Sequence, residues 1–588
     1  MTGSDDEGRA EAGDTIFDLT TGQFPRDARW SVLSRFTELG TPSSMLGPAL
    51  ETSTEAQDAQ TRPRSKSRPA VLVFLVLLVV TVALQAASGA YKSEFGSYPD
   101  EPAHYVTSLM VREYITSGTP AWPMQFAENY YAHYPKVAFG HWPPLFYGIQ
   151  ALWMMLFSAS RVSVRLELAV TTAVLGFSVY LEAKRWLRSK WGAYFAGLLT
   201  VCLPLVQAST DEEMAEILLA LTCFWSAVCF ARYIQSERPR DAFWFAIFFS
   251  LAVLTKGSGW LLVFVPPIAL VLANKVRLAF KASFWMAAGL IAICCLPWQI
   301  MTLRVAERGW TGGAGPSVSY TVNAIQQFGS IAVSIMGPLL AALTLLGVIA
   351  TAGLPFIRFR RCDAIPAAML ALILADWIFH SVVPAGVENR KMIMAVPGLV
   401  LFLVAGAKWV AASVPAGRFS RFRFPAALAV ITVIFAVQTF AIPRHTRFGY
   451  IEAAKFITST PSLRGATILA SSSNLGEGLL ISEIAMREPR PTDTIIRATK
   501  ALAKTDWTGT QYRCAFTSAP ELVDYLNRSQ IKVIVTDDFP PIANFEHSRL
   551  LAEALRDNPE NFRLLRSFKS PSLPGSVQIF EKQPPAPF

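Results

Sequence analysis

Carboxylates and cations recur in short clusters along a chain that is otherwise poor in charge. Asp100 and Glu101 stand side by side. Asp211, Glu212 and Glu213 form a run, with Glu216 close behind, and Lys256 stands alone after Leu254-Thr255. Glu388-Asn389-Arg390-Lys391 closes the set. A carboxylate within hydrogen-bond reach of a hydroxyl can take its proton during attack on an electrophile. Arg can hold an anionic group through paired hydrogen bonds, and Lys as a point charge. His104, His133 and His141 can join the acids around a metal, although any one of them serves as well as a structural hydrogen-bonding group. Asp376 and His380, four residues apart, share a helix face and read equally as a structural hydrogen bond or a functional pair. Acids at a helix start also complement the macrodipole. That accounts for residues 211–213 more readily than for Glu216, which stands one turn into an apolar run.

The elements that must position these groups are membrane helices. Of 588 residues, 52% are apolar and only 16% charged, against about 25% charged in an average soluble domain. This composition excludes a disordered or collagen-like chain and points to a polytopic membrane protein. The net charge of +10 reports topology rather than nucleic-acid binding, because Lys and Arg gather on cytoplasmic loops. Five of the seven Cys lie in apolar runs and no CxxC pair occurs, which argues against a disulfide framework or a zinc knuckle.

Residues 1–68 read as a polar, disordered cytoplasmic tail that ends in the basic cluster Arg62, Arg64, Lys66 and Arg68. The run 69–88 lies too far from Met1 for a cleaved signal peptide and reads as the first span. A large external loop, 89–142, follows. Eleven further apolar runs lie between 143 and 443, at 143–159, 163–183, 192–209, 214–234, 242–255, 258–273, 283–303, 329–352, 364–383, 391–412 and 425–443. The basic loops at 184–190, 238–240, 275–281, 358–361 and 418–423 all fall on the cytoplasmic side only if 143–159, opened by Pro143-Pro144, does not cross. The pattern therefore predicts about eleven spans plus a re-entrant or interfacial helix, over 69–443. Residues 444–588 alternate β-like runs (466–470, 494–497, 531–536, 576–581) with helical ones (474–488, 519–529, 546–557). They read as an external α/β domain. On this topology the carboxylates and cations converge on the external face.

The motifs, in order, resemble those of the GT-C membrane glycosyltransferases, in the branch holding protein O-mannosyltransferases and the lipid A aminoarabinose transferase. Asp100-Glu101-Pro102 with Tyr105 is similar to that family's first-loop acidic motif. His141-Trp142-Pro143-Pro144-Leu145-Phe146-Tyr147 resembles its His-Pro-Pro-Leu-x-Tyr segment, with Trp142 inserted or substituted. Arg165-Leu166 resembles its Arg-Leu helix start, and Leu254-Thr255-Lys256-Gly257 its Leu-Thr-Lys-Gly tip. Asn389-Arg390-Lys391 followed by Pro397 resembles its Arg-Tyr…Pro segment, with Lys in place of Tyr. The second acidic site departs from the family's Arg-Met-Asp. Asp211 is preferred there, with Glu213 and Glu216 as alternatives.

The resemblance implies an enzyme of the GT-C type, a hexosyl- or pentosyltransferase. It would move a sugar from a polyprenyl-phosphate donor to a lipid, glycan or protein acceptor, outside a bacterial inner membrane and with no nucleic acid involved. Asp100 would be the base of an inverting attack. Lys256 and Arg390, with Arg165, would hold the donor phosphate. Asp211 or Glu101 would orient the acceptor or hold a divalent cation with His104 or His141. Members of the family differ in metal use, so the metal stays open. The Gly-rich loop 304–328 reads equally as a lid or as an ordinary connection. A flippase for a lipid-linked substrate would favour mid-depth charges and repeat symmetry, and neither is evident. A non-catalytic scaffold is the remaining alternative.

Overall fold

The computed structural model describes residues 68–588 apart from 119–120, 139, 141, 310–316, 359–361, 414–419, 441–444, 506–511, 541–544 and 584–588. The expected N-terminal tail, His141 and the centre of the Gly-rich loop therefore lie outside the described residues.

The chain opens with α1 (Arg68–Ser88), α2 (Glu101–Thr116), α3 (Pro123–His133) and α4 (Leu145–Leu156). Next come α5 (Arg161–Trp186), α6 (Lys190–Cys202), α7 (Pro204–Asp211), α8 (Glu216–Ser236) and α9 (Pro239–Thr255). Among the described residues, eight helices are long and apolar enough to cross a membrane: Pro69–Ser88, Arg161–Trp186, Glu216–Ser236, Ala282–Arg304, Pro338–Ile357, Ala364–Val382, Asn389–Ser413 and Ser420–Phe440. A ninth is formed if α6 and α7, bent by 51°, count as one span. The remaining two segments read as spans are the 17-residue α9 and the short apolar stretch Gly257–Leu272. The α4 helix has only 12 residues, too few for the roughly 20 that cross a bilayer. This is a helical polytopic membrane protein.

Breaks in the helices follow local chemistry. The α6–α7 bend falls at Leu203, in extended backbone, before Pro204, which supplies no N–H to continue the helix. The expected run 329–352 is likewise split. Val318–Met336 ends at Gly337, at φ 76°, and a new helix starts at Pro338. That helix packs very closely on the one ending at Ser413. A Cβ on Gly347 would lie 2.0 Å from the Phe402 carbonyl oxygen, and one on Gly406 2.1 Å from that of Leu343. Small residues allow such backbone approach between membrane helices.

The C-terminal segment forms strands β1 (Thr467–Ser471), β2 (Thr494–Arg497), β3 (Ala503–Lys504), β4 (Arg513–Cys514), β5 (Val533–Asp537), β6 (Phe562–Lys569) and β7 (Ser576–Lys582). Five of them make one sheet in the order β2-β1-β5-β7-β6. β1 is parallel to both β2 and β5, and β7 runs antiparallel between β5 and β6. This sheet does not float free of the first loop. Phe95, Tyr105, Leu109 and Tyr130 share one buried cluster with Tyr450, Ile457, Leu479 and Ile484. Glu94 accepts the backbone N–H groups of Phe448 at 3.0 Å, Gly449 at 2.9 Å and Tyr450 at 3.1 Å. It thereby occupies the N-terminus of the helix Tyr450–Ser459.

Candidate functional site

Glu101 organises the site from within. Its Oε1 accepts the N–H groups of Ser97 at 2.7 Å and Tyr98 at 2.9 Å, which folds the 97–100 turn onto the start of α2. Its Oε2 accepts the N–H of Glu213 at 2.9 Å and an Arg165 guanidinium N–H at 3.3 Å. Both side chains of the Glu101–Arg165 pair are fully buried. The first-loop turn is thus tied to the turn joining α7 and α8. Asp100, at the start of α2, is left half-buried beside these ties. Burial pushes its carboxyl above the usual aspartate range, and Arg390, Lys136 and Lys256 oppose that shift.

Lys256 and Arg390 meet on one carboxylate. Glu216 begins α8, Lys256 follows the last residue of α9, and Arg390 lies in the 3₁₀ turn Asn389–Ala395. Lys256 Nζ donates to Glu216 Oε1 at 2.6 Å, and Arg390 Nη1 lies 3.5 Å from the same oxygen. The chain can turn sharply after Lys256 because Gly259 presses on the backbone of Ala252, where a Cβ would come within 2.5 Å. Arg390 Nε donates to Glu388 Oε2 at 2.6 Å, and its guanidinium covers the Tyr98 ring at 3.8 Å. Tyr98 in turn donates to Glu388 Oε2 at 3.4 Å. The cations are therefore linked back to the turn that carries Asp100.

The other expected residues occupy a surrounding layer. His104 Nδ1 lies 2.8 Å from the Tyr147 hydroxyl, and its ring stacks on Trp142 at 4.1 Å. Asp211 Oδ2 faces His445 Nε2 at 3.3 Å, and His445 Nδ1 faces the Ser97 hydroxyl at 2.6 Å. Glu213 is buried and accepts from the Gln150 amide. Burial raises its carboxyl to about 8. Glu212, unnamed among the expected site residues, is also pushed up to about 8, by burial and then by Glu101 and Glu216. Arg165, expected at the phosphate, is sealed inside against Glu101 with Phe95 at its face. The Arg165 side chain has no solvent-exposed surface and donates to Glu101.

Among the described residues no three His, Cys, Asp or Glu side chains converge as metal ligands. Asp211 is turned to His445 and His104 to Tyr147. Among the described residues, these two expected ligands are thus engaged with other side chains.

Asp100, Glu216, Lys256 and Arg390 are thus brought together, while Glu101, Arg165 and Glu213 lie behind them. Sequence reasoning missed Tyr98, Lys136 and His445, and it gave Glu388 no role of its own beside Arg390. Tyr98 stands two residues before Asp100, which that reasoning had named. Lys136 and His445 carry no local signal, because their partners are 338 and 234 residues away.

Residues 141–300 match the family of dolichyl-phosphate-mannose-protein mannosyltransferases. The fold is similar to that of ArnT from Cupriavidus metallidurans in the apo state, at 13% identity and a TM-score of 0.53. It is equally similar to the same protein bound to undecaprenyl phosphate, at 15% identity and 0.52. Each match covers 88% of this chain and 98% of the other. No curated protein matches the chain by sequence. The chain has the GT-C fold, and the resemblance read from its motifs holds in its architecture.

Proposed function

We propose that the protein is a membrane glycosyltransferase that moves a sugar from a polyprenyl-phosphate donor to an acceptor hydroxyl at the external face of a bacterial inner membrane. The observation that carries this reading is the convergence of Asp100 with Lys256 and Arg390 at one cluster of helix ends. Support for the donor class comes from the matched family and from the undecaprenyl phosphate bound to the structural relative.

The chemistry follows from the groups present. The C1–O bond to the donor phosphate breaks, and the polyprenyl phosphate leaves as an anion. Lys256 and Arg390 hold that anion, Arg390 through its planar donors and Lys256 as a point charge. The acceptor oxygen forms the new bond to C1 from the opposite side and inverts the anomeric centre. Asp100 takes the hydroxyl proton as the bond forms. Glu216 keeps the two cations in place between turnovers, and Glu101 with Arg165 holds the turn that presents Asp100.

The test is native mass spectrometry of the detergent-purified protein with added undecaprenyl phosphate. Wild type and Asp100→Asn should both carry the lipid, and the Lys256→Ala, Arg390→Ala double variant should lose it. Equal binding by all three would remove the phosphate-site assignment and bring the transporter and scaffold readings forward.

A further inference from the structure

A second cationic site borders Asp100 from the side of the C-terminal domain. Lys136 is buried, and its ammonium donates to the Asn474 carbonyl at 3.1 Å and to Asn474 Oδ1 at 2.7 Å. Both acceptors are neutral, and among the described residues no carboxylate lies within ion-pair distance of it. Arg497 donates to the same Asn474 Oδ1 at 2.7 Å and through Nε to Glu477 Oε2 at 2.7 Å. Arg497 and Lys500 both act on Lys136 electrostatically, against Glu477 and Asp100. Among the described residues, Glu477 is thus the carboxylate acting most strongly on Lys136 and is already paired with Arg497, while Asp100 is also acted on by Arg390 and Lys256. A buried charge without a partner is expensive, and such groups usually have one supplied. Burial, then Arg497, drives the Lys136 ammonium down to about 7, the response expected of a cation short of negative charge.

The packing fixes this arrangement beside the reacting groups. The Lys136 stem lies over Gly478, where a Cβ would come within 2.9 Å of its Cε and 3.1 Å of Pro102. Pro102 follows Asp100-Glu101 directly. The helix Asn474–Arg487 thus brings Asn474 and Lys136 to the edge of the turn that presents the base, on elements other than those that carry Lys256 and Arg390.

We infer that Lys136 and Arg497 form an anion-binding subsite for the acceptor, so that the acceptor carries a phosphate-type group near the hydroxyl presented to Asp100. This rests on the glycosyltransferase reading and adds the acceptor's chemical class to it.

The test compares phosphatidic acid with diacylglycerol of the same chains as adducts of the full-length protein in mild detergent, read by native mass spectrometry. Wild type and the Lys256→Ala, Arg390→Ala variant should both hold phosphatidic acid over diacylglycerol. Lys136→Gln and Arg497→Gln should each weaken that adduct by about tenfold or more. Displacement by glycerol 3-phosphate would assign the anion to a water-borne acceptor, and resistance to it to a lipid-borne one. An adduct unchanged in both Lys136→Gln and Arg497→Gln overturns the inference. So does an adduct lost in the Lys256→Ala, Arg390→Ala variant but kept in Lys136→Gln, since the anion then sits in the donor site. If Lys136→Gln does not fold, Lys136→Arg and Arg497→Gln decide. Retention in the first with loss in the second supports the subsite, and any other pattern overturns it. Undecaprenyl phosphate binding that survives Lys256→Ala, Arg390→Ala would refute the donor assignment alone and leave this one standing.

Discussion

The ammonium of Lys256 donates to Glu216 Oε1 at 2.6 Å, across the gap between the end of one helix and the start of another. Arg390 leans on the same oxygen, so one carboxylate stores two cations at a single point. Lys256 is about one-third exposed, so solvent screens the pair and its loss should cost little stability. Its effect should appear in binding instead. Lys256→Ala should weaken undecaprenyl phosphate binding by about tenfold, or about 1.4 kcal/mol, while Lys256→Arg stays near wild type. A titration in which both variants match wild type would show that the phosphate sits elsewhere.

Asp100 is the group whose loss should stop chemistry and spare binding. Replacing a positioned base with a neutral amide typically costs about 10²–10⁴ in rate. Asp100→Asn should therefore lose at least about 10² in kcat with donor KM held. The pH dependence has a definite sign. The base must be ionised, and burial raises its carboxyl. The rate should therefore fall, as pH is lowered, at a pH above the ordinary aspartate range. Arg390, Lys136 and Lys256 pull the other way, so Lys136→Gln should move this acid limb to still higher pH. A kcat/KM profile with a limb that stays fixed or moves down would contradict the electrostatic coupling.

Glu101 should behave in the opposite manner. Four donors converge on its two oxygens, and its pair with Arg165 is closed to solvent on both sides. Removing one partner of a buried pair strands the other charge, at a cost of about 3–5 kcal/mol. Glu101→Gln should therefore lower the unfolding temperature markedly, while Asp100→Asn leaves it close to wild type. Adjacent carboxylates with opposite signatures in a thermal melt would separate the positioning role from the chemical one. Equal melting curves for the two variants would refute that division.

The extent to which the sequence revealed this arrangement depended on the distance over which each cause acts. The β-like runs at 494–497 and 576–581 are real strands because their apolar patterning is local. Strand β6, FRLLRSFK, escaped notice because it is an edge strand whose charged side chains are mostly exposed. The charge clusters were visible because charge is scarce in an apolar chain. Their sorting was not visible. Nothing in Asp100-Glu101 says that the second is walled in by Ser97, Tyr98, Glu213 and Arg165 while the first is not. Arg165 looked available beside Lys256 and Arg390, since burial behind Glu101 arises from tertiary packing. Lys136 lies in an unremarkable segment and gains its meaning from Asn474, which only folding brings near.

The contact between the first loop and the C-terminal domain gives the last prediction. Glu94 is almost fully buried, and its carboxylate receives three consecutive N–H groups, those of Phe448, Gly449 and Tyr450. Such groups are the unsatisfied donors of a helix start, and negative charge there is favoured by the macrodipole. Glu94→Gln keeps the shape and removes the charge. Hydrogen bonds to charged groups contribute about 1.5–3 kcal/mol, so local opening at residues 448–450 should become at least about tenfold more frequent. Hydrogen exchange would read this as lost protection at those amides. Strands β1 and β5 should remain protected, because Phe95 and Tyr105 still share their buried cluster with Tyr450, Ile468 and Val533. Unchanged exchange at 448–450 would show that the helix start is held by packing and not by Glu94. Lost protection throughout the sheet would show that this one carboxylate, and not the shared apolar cluster, keeps the domain docked against the turn that carries Asp100.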